Sequence, residues 1–181
     1  MTSNDTVIAI KWQDNHLKLL DQRLLPHQVE WLDITTTNET VASIRDMVVR
    51  GAPAIGITAA YGIVMAARAH YAHSPENWKS LIKKDLEQLG NARPTAVNLA
   101  WAIDRMNRVI NQSDGDPVKR LLQEAKTIHE EDISANRRIG ELGAELIMPG
   151  KGVLTHCNAG SLATGGYGTA LGVIRTAWQQ K

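Results

Sequence analysis

The chain has 181 residues, 43% of them hydrophobic, enough to bury a core as one medium domain or two small ones. Twenty Lys and Arg against nineteen Asp and Glu leave a formal net charge of +1, so no global field draws in nucleic acid or an anionic membrane and any anion recognition must be local. A lone cysteine, Cys157, excludes an intramolecular disulfide and a cysteine-rich zinc site and suits a reducing cytoplasm; the polar residues 1–5 and the short apolar run 7–10 are too brief for a signal core or a membrane span.

In chain order, residues 7–20 alternate around Asp14-Asn15, which predicts a hairpin, and residues 29–34 predict another strand. Val41, Ile44, Met47 and Val48 then fall on one helical face, with Glu39 in the first turn and an end expected near Arg50-Gly51. Pro53 fits the first turn of the next helix. Residues 54–67 are small and apolar nearly all round, the pattern of a central helix buried on every side. A helix starting at Ser74-Pro75 carries the stripe Trp78, Leu81, Ile82, Leu86 and Leu89 and stops at Gly90; another opens at Pro94 and carries Leu99, Ala102, Ile103, Met106 and Val109. Asp116-Pro117 launches a long helix through Leu121, Ala125, Ile128, Ile139, Leu142 and Leu146, stopped by Pro149-Gly150. Beyond that, residues 152–157 form a short apolar run, followed by a glycine-rich loop and a helical pattern over 169–178. Strand, loop and helix in that order open a parallel α/β unit. The expected fold class is therefore α+β then α/β: a small N-terminal β element plus helical bundle over residues 1–149, and the first unit of a Rossmann-like domain over 150–181. One such unit leaves both strand edges unpaired, so the chain is expected to stop inside that domain.

Three stretches carry chemistry. Arg50-Gly51-Ala52-Pro53-Ala54-Ile55-Gly56 puts a guanidinium and a glycine just ahead of a helix N-terminus, a combination suited to a phosphate and equally to a helix C-cap beside a solvated arginine. Arg93-Pro94-Thr95 repeats the theme, with the same plain alternative of an arginine in a turn. In the third, running from Leu154 to Thr169, Cys157 is expected at a strand's carboxyl end, facing loop N–H groups and a helix N-terminus that would stabilise a thiolate; a buried small hydrophobe is the alternative. His156 and Cys157, as consecutive strand residues, should point apart, so no Cys–His pair is expected. The glycines match neither a P-loop nor a dinucleotide fingerprint, although a cradle of loop N–H groups for a phosphate is compatible with them. The other histidines show no supported metal-ligand spacing, and no metal is expected.

In this order, R-G-A-P-A-I-G, R-P-T-A-V-N-L and L-T-H-C-N-A-G-S-L-A-T-G-G-Y-G-T-A-L-G resemble the motif set of the methylthioribose-1-phosphate isomerase family, across nearly the whole chain. The resemblance implies an aldose–ketose isomerase of methionine salvage, in a superfamily that also holds ribose-1,5-bisphosphate isomerase and regulatory subunits of a translation-initiation exchange factor. It implies substrate binding by Arg50, Gly51, Ala52 and Arg93, and a place for Cys157 at the reacting carbons. Asn158, Gly160 and Ser161 would add loop contacts. No metal or organic cofactor is implied. The partner is a small sugar phosphate, with neither nucleic acid nor membrane, and the full-length protein would be a homodimer. The family's essential aspartate lies in the later part of the α/β domain. Asp104, Asp114, Asp116 and Asp132 all fall on the helical part, so the 181-residue chain alone is expected to be inactive or nearly so. The rival expectations are a non-catalytic regulatory member of the superfamily and the ribose-1,5-bisphosphate isomerase.

Overall fold

A computed structural model describes residues 7–180; the polar opening, residues 1–5, lies outside the described residues. The hairpin forms as its turn residues dictate. Strands β1 (Ile10–Gln13) and β2 (His16–Leu20) pair antiparallel, with Gln13 opposite His16, and the two residues between, Asp14 and Asn15, both adopt positive φ, +52° and +61°. That is the turn whose twist matches a hairpin, and Asp and Asn tolerate it best after glycine. Strand β3 (Trp31–Ile34) pairs with β2 to complete a three-stranded antiparallel sheet in the order β1-β2-β3. Ile10, Leu17 and Leu19 turn its inner face into the core.

Helix α1 (Thr37–Arg45) starts at a capping box: the Thr36 hydroxyl accepts from the Glu39 N–H at 3.2 Å, while the Glu39 carboxylate accepts from the Thr36 N–H at 3.0 Å. The backbone N–H of Thr35 also donates to Glu39, and these bonds hold its carboxyl below the usual range. The helix ends five residues before the expected Arg50. Met47 turns left-handed at φ +60°, which a helix cannot absorb, and Val48 and Val49 bury themselves in the turn.

Helix α2 (Ala52–His73) is the hub. Every residue from 54 to 67 is buried, as its uniform apolarity predicts. It is long and apolar enough to cross a membrane, yet 78% of its most apolar window is covered by protein. Truncating a side chain such as Ile63, which is fully buried, would cost about 2–5 kcal/mol. Around α2 lie α3 (Trp78–Leu81), α4 (Lys83–Ala92), α5 (Val97–Asn111) and α6 (Val118–Ala144). The continuous helix expected from Ser74 is thus two pieces, and it runs through Gly90 to Ala92. Helix α5 opens at Val97, three residues after the expected Pro94, because residues 93–96 form a turn closed by Ala96 N–H to Arg93 C=O at 3.0 Å. Proline supplies the fixed φ of that turn's second position. Helix α6 starts where Asp116-Pro117 predicted, with the Val118 N–H donating to the Asp116 carboxylate at 2.9 Å, but ends at Ala144, short of Pro149.

Past Gly150, the strand expected over residues 152–157 does not form. Among the described residues this segment has no ladder partner, and Leu154 is 97% exposed. A strand is held by hydrogen bonds to a neighbouring strand, and an apolar run alone supplies none. The parallel α/β unit is therefore absent from the described residues. The expected helix does form, as α7 (Ala170–Gln179), packed along α6. Gly140 and Gly143 of α6 admit the close approach: a Cβ on Gly143 would stand 2.7 Å from a Val173 methyl.

Candidate functional site

The first motif sits at the start of α2. Gly51 is its N-cap, at φ +97°, a conformation that strains any L side chain. Space forbids one as well: a Cβ there would lie 2.5 Å from the backbone of Ala163, in the third motif. Pro53 in the first turn fixes the helical φ where an N–H would have had no intrahelical partner. Arg50, immediately before the cap, is exposed, as is Ala52. The positive end of a 22-residue helix and a guanidinium therefore share one corner, an arrangement that favours an anion.

The second motif meets the first at the next turn of α2. A Cβ on Gly56 would stand 2.7 Å from the Asn98 carbonyl, so glycine lets the N-terminal turns of α2 and α5 touch. Between them and α6 opens a cleft of about 420 Å³. Pro53, Ile57, Val97, Trp101 and Ile128 make it mostly apolar, and Glu131 and Asp132 bring carboxylates to its wall. Glu131 is paired with Arg105, which holds its carboxyl below the usual range. Arg93 caps the end of α4 in a non-helical conformation (φ −149°, ψ 83°), half-buried, four residues before the cleft residue Val97.

The third motif is a folded knot of backbone. A 3-10 turn over Ser161–Ala163 is pinned from the sheet side by Gln22, whose amide donates to the Leu162 carbonyl at 2.8 Å. The Thr164 hydroxyl accepts from the N–H groups of Gly166 (3.3 Å) and Gly168 (3.1 Å), and Gly160 bridges Gly168 in antiparallel fashion. Gly165 is gripped from α6: its N–H donates to Asp132 Oδ2 at 2.6 Å and its carbonyl pairs with His129 Nε2 at 2.7 Å. Burial pushes the Asp132 carboxyl up, against the opposing pull of the Gly165 N–H, His129 and Asn136. Behind His129, Nδ1 meets the Tyr61 hydroxyl at 3.2 Å, and burial, with the nearby Glu130 charge, lifts that phenol far above its ordinary value.

The structure thus joins the first motif to the third at Gly51 and Ala163, and the first to the second at Gly56 and Asn98. Gly160 and the buried Ser161 belong to the knot, whereas Cys157 and Asn158 are exposed at its entrance. Cys157 carries a free thiol and stands at φ +69°, a left-handed position uncommon for a residue with a side chain. It does not end a strand, so the opposed-faces argument for His156 and Cys157 does not apply. His129 and Asp132 escaped sequence reasoning. Their one available signal was a spacing of three on a helix, which stacks both side chains on one face. Among the described residues no group of three or more His, Cys, Asp or Glu could hold a metal.

The chain is 61% identical, over its full length, to methylthioribose-1-phosphate isomerase of Alkalilimnicola ehrlichii, of which it covers 52%, and 58% identical over 98% of its length to that of Thioalkalivibrio sulfidiphilus, covering 51%. It spans about half the length of the curated relatives it matches. Among solved structures it is similar to 5-methylthioribose 1-phosphate isomerase from Pyrococcus horikoshii (TM-score 0.87, 38% identity, 96% of this chain and 49% of that one). It is also similar to translation initiation factor eIF-2B, subunit delta, from A. fulgidus (TM-score 0.86, 41% identity, 96% and 52%). With residues 48–181 matching the description "Initiation factor 2 subunit family", the chain belongs to that family.

Proposed function

We propose that this chain supplies the phosphosugar-binding part of an isomerase that converts 5-methylthioribose 1-phosphate to 5-methylthioribulose 1-phosphate, in methionine salvage. The observation that carries the reading is the packing of Gly51 on Ala163, which joins the arginine junction to the cysteine-bearing motif at the start of a buried helix. Arg50, with Gly51 and Ala52, and Arg93 bind the substrate, holding its phosphate with charged donors and helix N–H groups. The anomeric phosphate ties up the carbonyl, so the ring must be opened before one hydrogen passes from C2 to C1. The net reaction balances without an external oxidant or reductant, and no cofactor is called for. Cys157 stands at the reacting carbons, where charge builds up, and Asn158, Gly160 and Ser161 add loop contacts.

The mostly apolar cleft, whose lining among the described residues holds no Lys or Arg, supports a substrate with an uncharged, apolar far end over one with a second phosphate that would find no cation there. That favours the methylthio sugar over ribose 1,5-bisphosphate, and turnover of the two substrates side by side tests it. In this reading residues 1–149 form the N-terminal domain and 150–181 begin a Rossmann-like one, in a cytoplasmic homodimer that binds neither nucleic acid nor membrane. The reaction also needs an aspartate from the half of the relatives that this chain does not span. An isomerase assay of the 181-residue chain beside a chain extended through that half is expected to give turnover only in the second; comparable turnover would contradict it.

The likeness to an initiation-factor subunit favours a second reading, a regulatory protein that binds a phosphosugar or a partner and catalyses nothing. Turnover of 5-methylthioribose 1-phosphate by the extended chain separates the two: it is expected of the enzyme and absent from a regulatory protein, whereas protection of the Cys157 thiol by phosphosugar reports binding alone.

A further inference from the structure

We propose that His129 and Asp132 are positioning residues: by gripping both polar groups of Gly165, they fix the glycine-rich motif between the arginine junction and Cys157. The proposal rests on the phosphosugar reading for its consequence but on hydrogen-bond geometry for its substance. Asp132 Oδ2 takes the Gly165 N–H at 2.6 Å and His129 Nε2 meets the Gly165 carbonyl at 2.7 Å. A carbonyl only accepts, so Nε2 carries the hydrogen, and Nδ1 on the far side of the ring meets the Tyr61 hydroxyl at 3.2 Å. Tyr61 is itself fixed, buried and stacked on Trp12 with ring centroids 5.2 Å apart. On the other side, Asn136, buried one turn along α6, donates to Asp132 Oδ2 at 3.1 Å. Residue 165 must be glycine for both grips to close, because a Cβ would come within 2.8 Å of the His129 ring and 3.0 Å of the Asp132 carboxylate.

One hydrogen bond would tether the loop; two on the same residue also set the rotation of its peptide planes. Any shift of Gly165 passes in two directions. It moves Ala163, which Gly51 touches, and it moves the Thr164 hydroxyl that holds Gly166 and Gly168, and with Gly168 its bridge to Gly160, three residues from Cys157. Helix α6 thereby sets the spacing between the two halves of the proposed binding site.

The test uses the 181-residue chain, 5-methylthioribose 1-phosphate in a calorimetric titration, and amide hydrogen exchange of residues 165–168. Asp132→Ala and His129→Leu are expected to weaken binding about tenfold or more and to speed that exchange, as loss of one buried charge-assisted bond implies. Asp132→Asn, which keeps an acceptor for the Gly165 N–H, and His129→Gln, which keeps a donor for its carbonyl, are expected to stay within about threefold of wild type. Leu121→Ala, a core truncation far from the knot in sequence, controls for lost stability and should leave both readouts of the folded chain unchanged. If wild type binds and all variants bind and exchange alike, or if Leu121→Ala reproduces the Asp132→Ala defect, the proposal is overturned. If wild type binds no phosphosugar, the functional reading fails, and the exchange rates alone decide whether the clamp stands.

Discussion

The two halves of the third motif behave oppositely. Residues 154–158 are almost wholly exposed, without a ladder partner among the described residues, whereas residues 159–169 are buried or half-buried and tied by hydrogen bonds to α6, to the sheet segment and to one another. The exposed half holds the large apolar Leu154, and the buried half holds Gly160, Gly165, Gly166 and Gly168, so side-chain apolarity alone does not rank them. What separates them is whether the partner is within reach: the second half finds donors, acceptors and a packing surface on α2 and α6, and the first requires a neighbouring strand. Apolarity marks what is available for burial, and backbone pairing decides whether burial happens.

Substitutions sharpen the contrast. Gly51→Val, on the buried side, combines a left-handed φ with a Cβ only 2.5 Å from the Ala163 backbone and should cost about 3–4 kcal/mol in urea unfolding. A loss below 1 kcal/mol would mean that the junction with the knot is loose. Gly150→Ala, on the exposed side, meets the same kind of backbone at φ +75° but open space around it, and should cost only about 1 kcal/mol. A third test turns on Asp132. Burial raises its folded pKa above the ordinary 3.8, so the folded chain binds this proton more tightly than the unfolded chain. The ionised carboxylate therefore costs stability at neutral pH, and the cost fades as pH falls through the raised value toward 3.8. Wild type should gain stability relative to Asp132→Asn between pH 7 and pH 3.5; parallel curves would show that the carboxylate is not desolvated. The smallest effect belongs to Leu154→Ser, within about 0.5 kcal/mol, because the leucine touches almost nothing.

Where a signal was local, the sequence was readable. Asp14-Asn15 specified its turn, the unbroken apolarity of residues 54–67 marked the buried helix, and Asp116-Pro117 marked the start of α6. Boundaries set by backbone detail were not: the left-handed Met47 cut α1 short, and the turn over residues 93–96 delayed α5. In the site, the arginines, the glycines and the cysteine stood out as motifs, while His129 and Asp132 looked like part of a solvated helix face. Their partner, Gly165, lies more than thirty residues away, and no periodicity within α6 records it.

The central claim is that the arginine junctions and the knot form one phosphosugar site, and calorimetric titration of 5-methylthioribose 1-phosphate into wild type and the double variant Arg50→Gln, Arg93→Gln tests it most directly. The account predicts saturable binding by wild type, weakened about a hundredfold or more in the variant as two charge-assisted contacts are lost, with an unchanged unfolding midpoint. Equal affinity in the two proteins would contradict it.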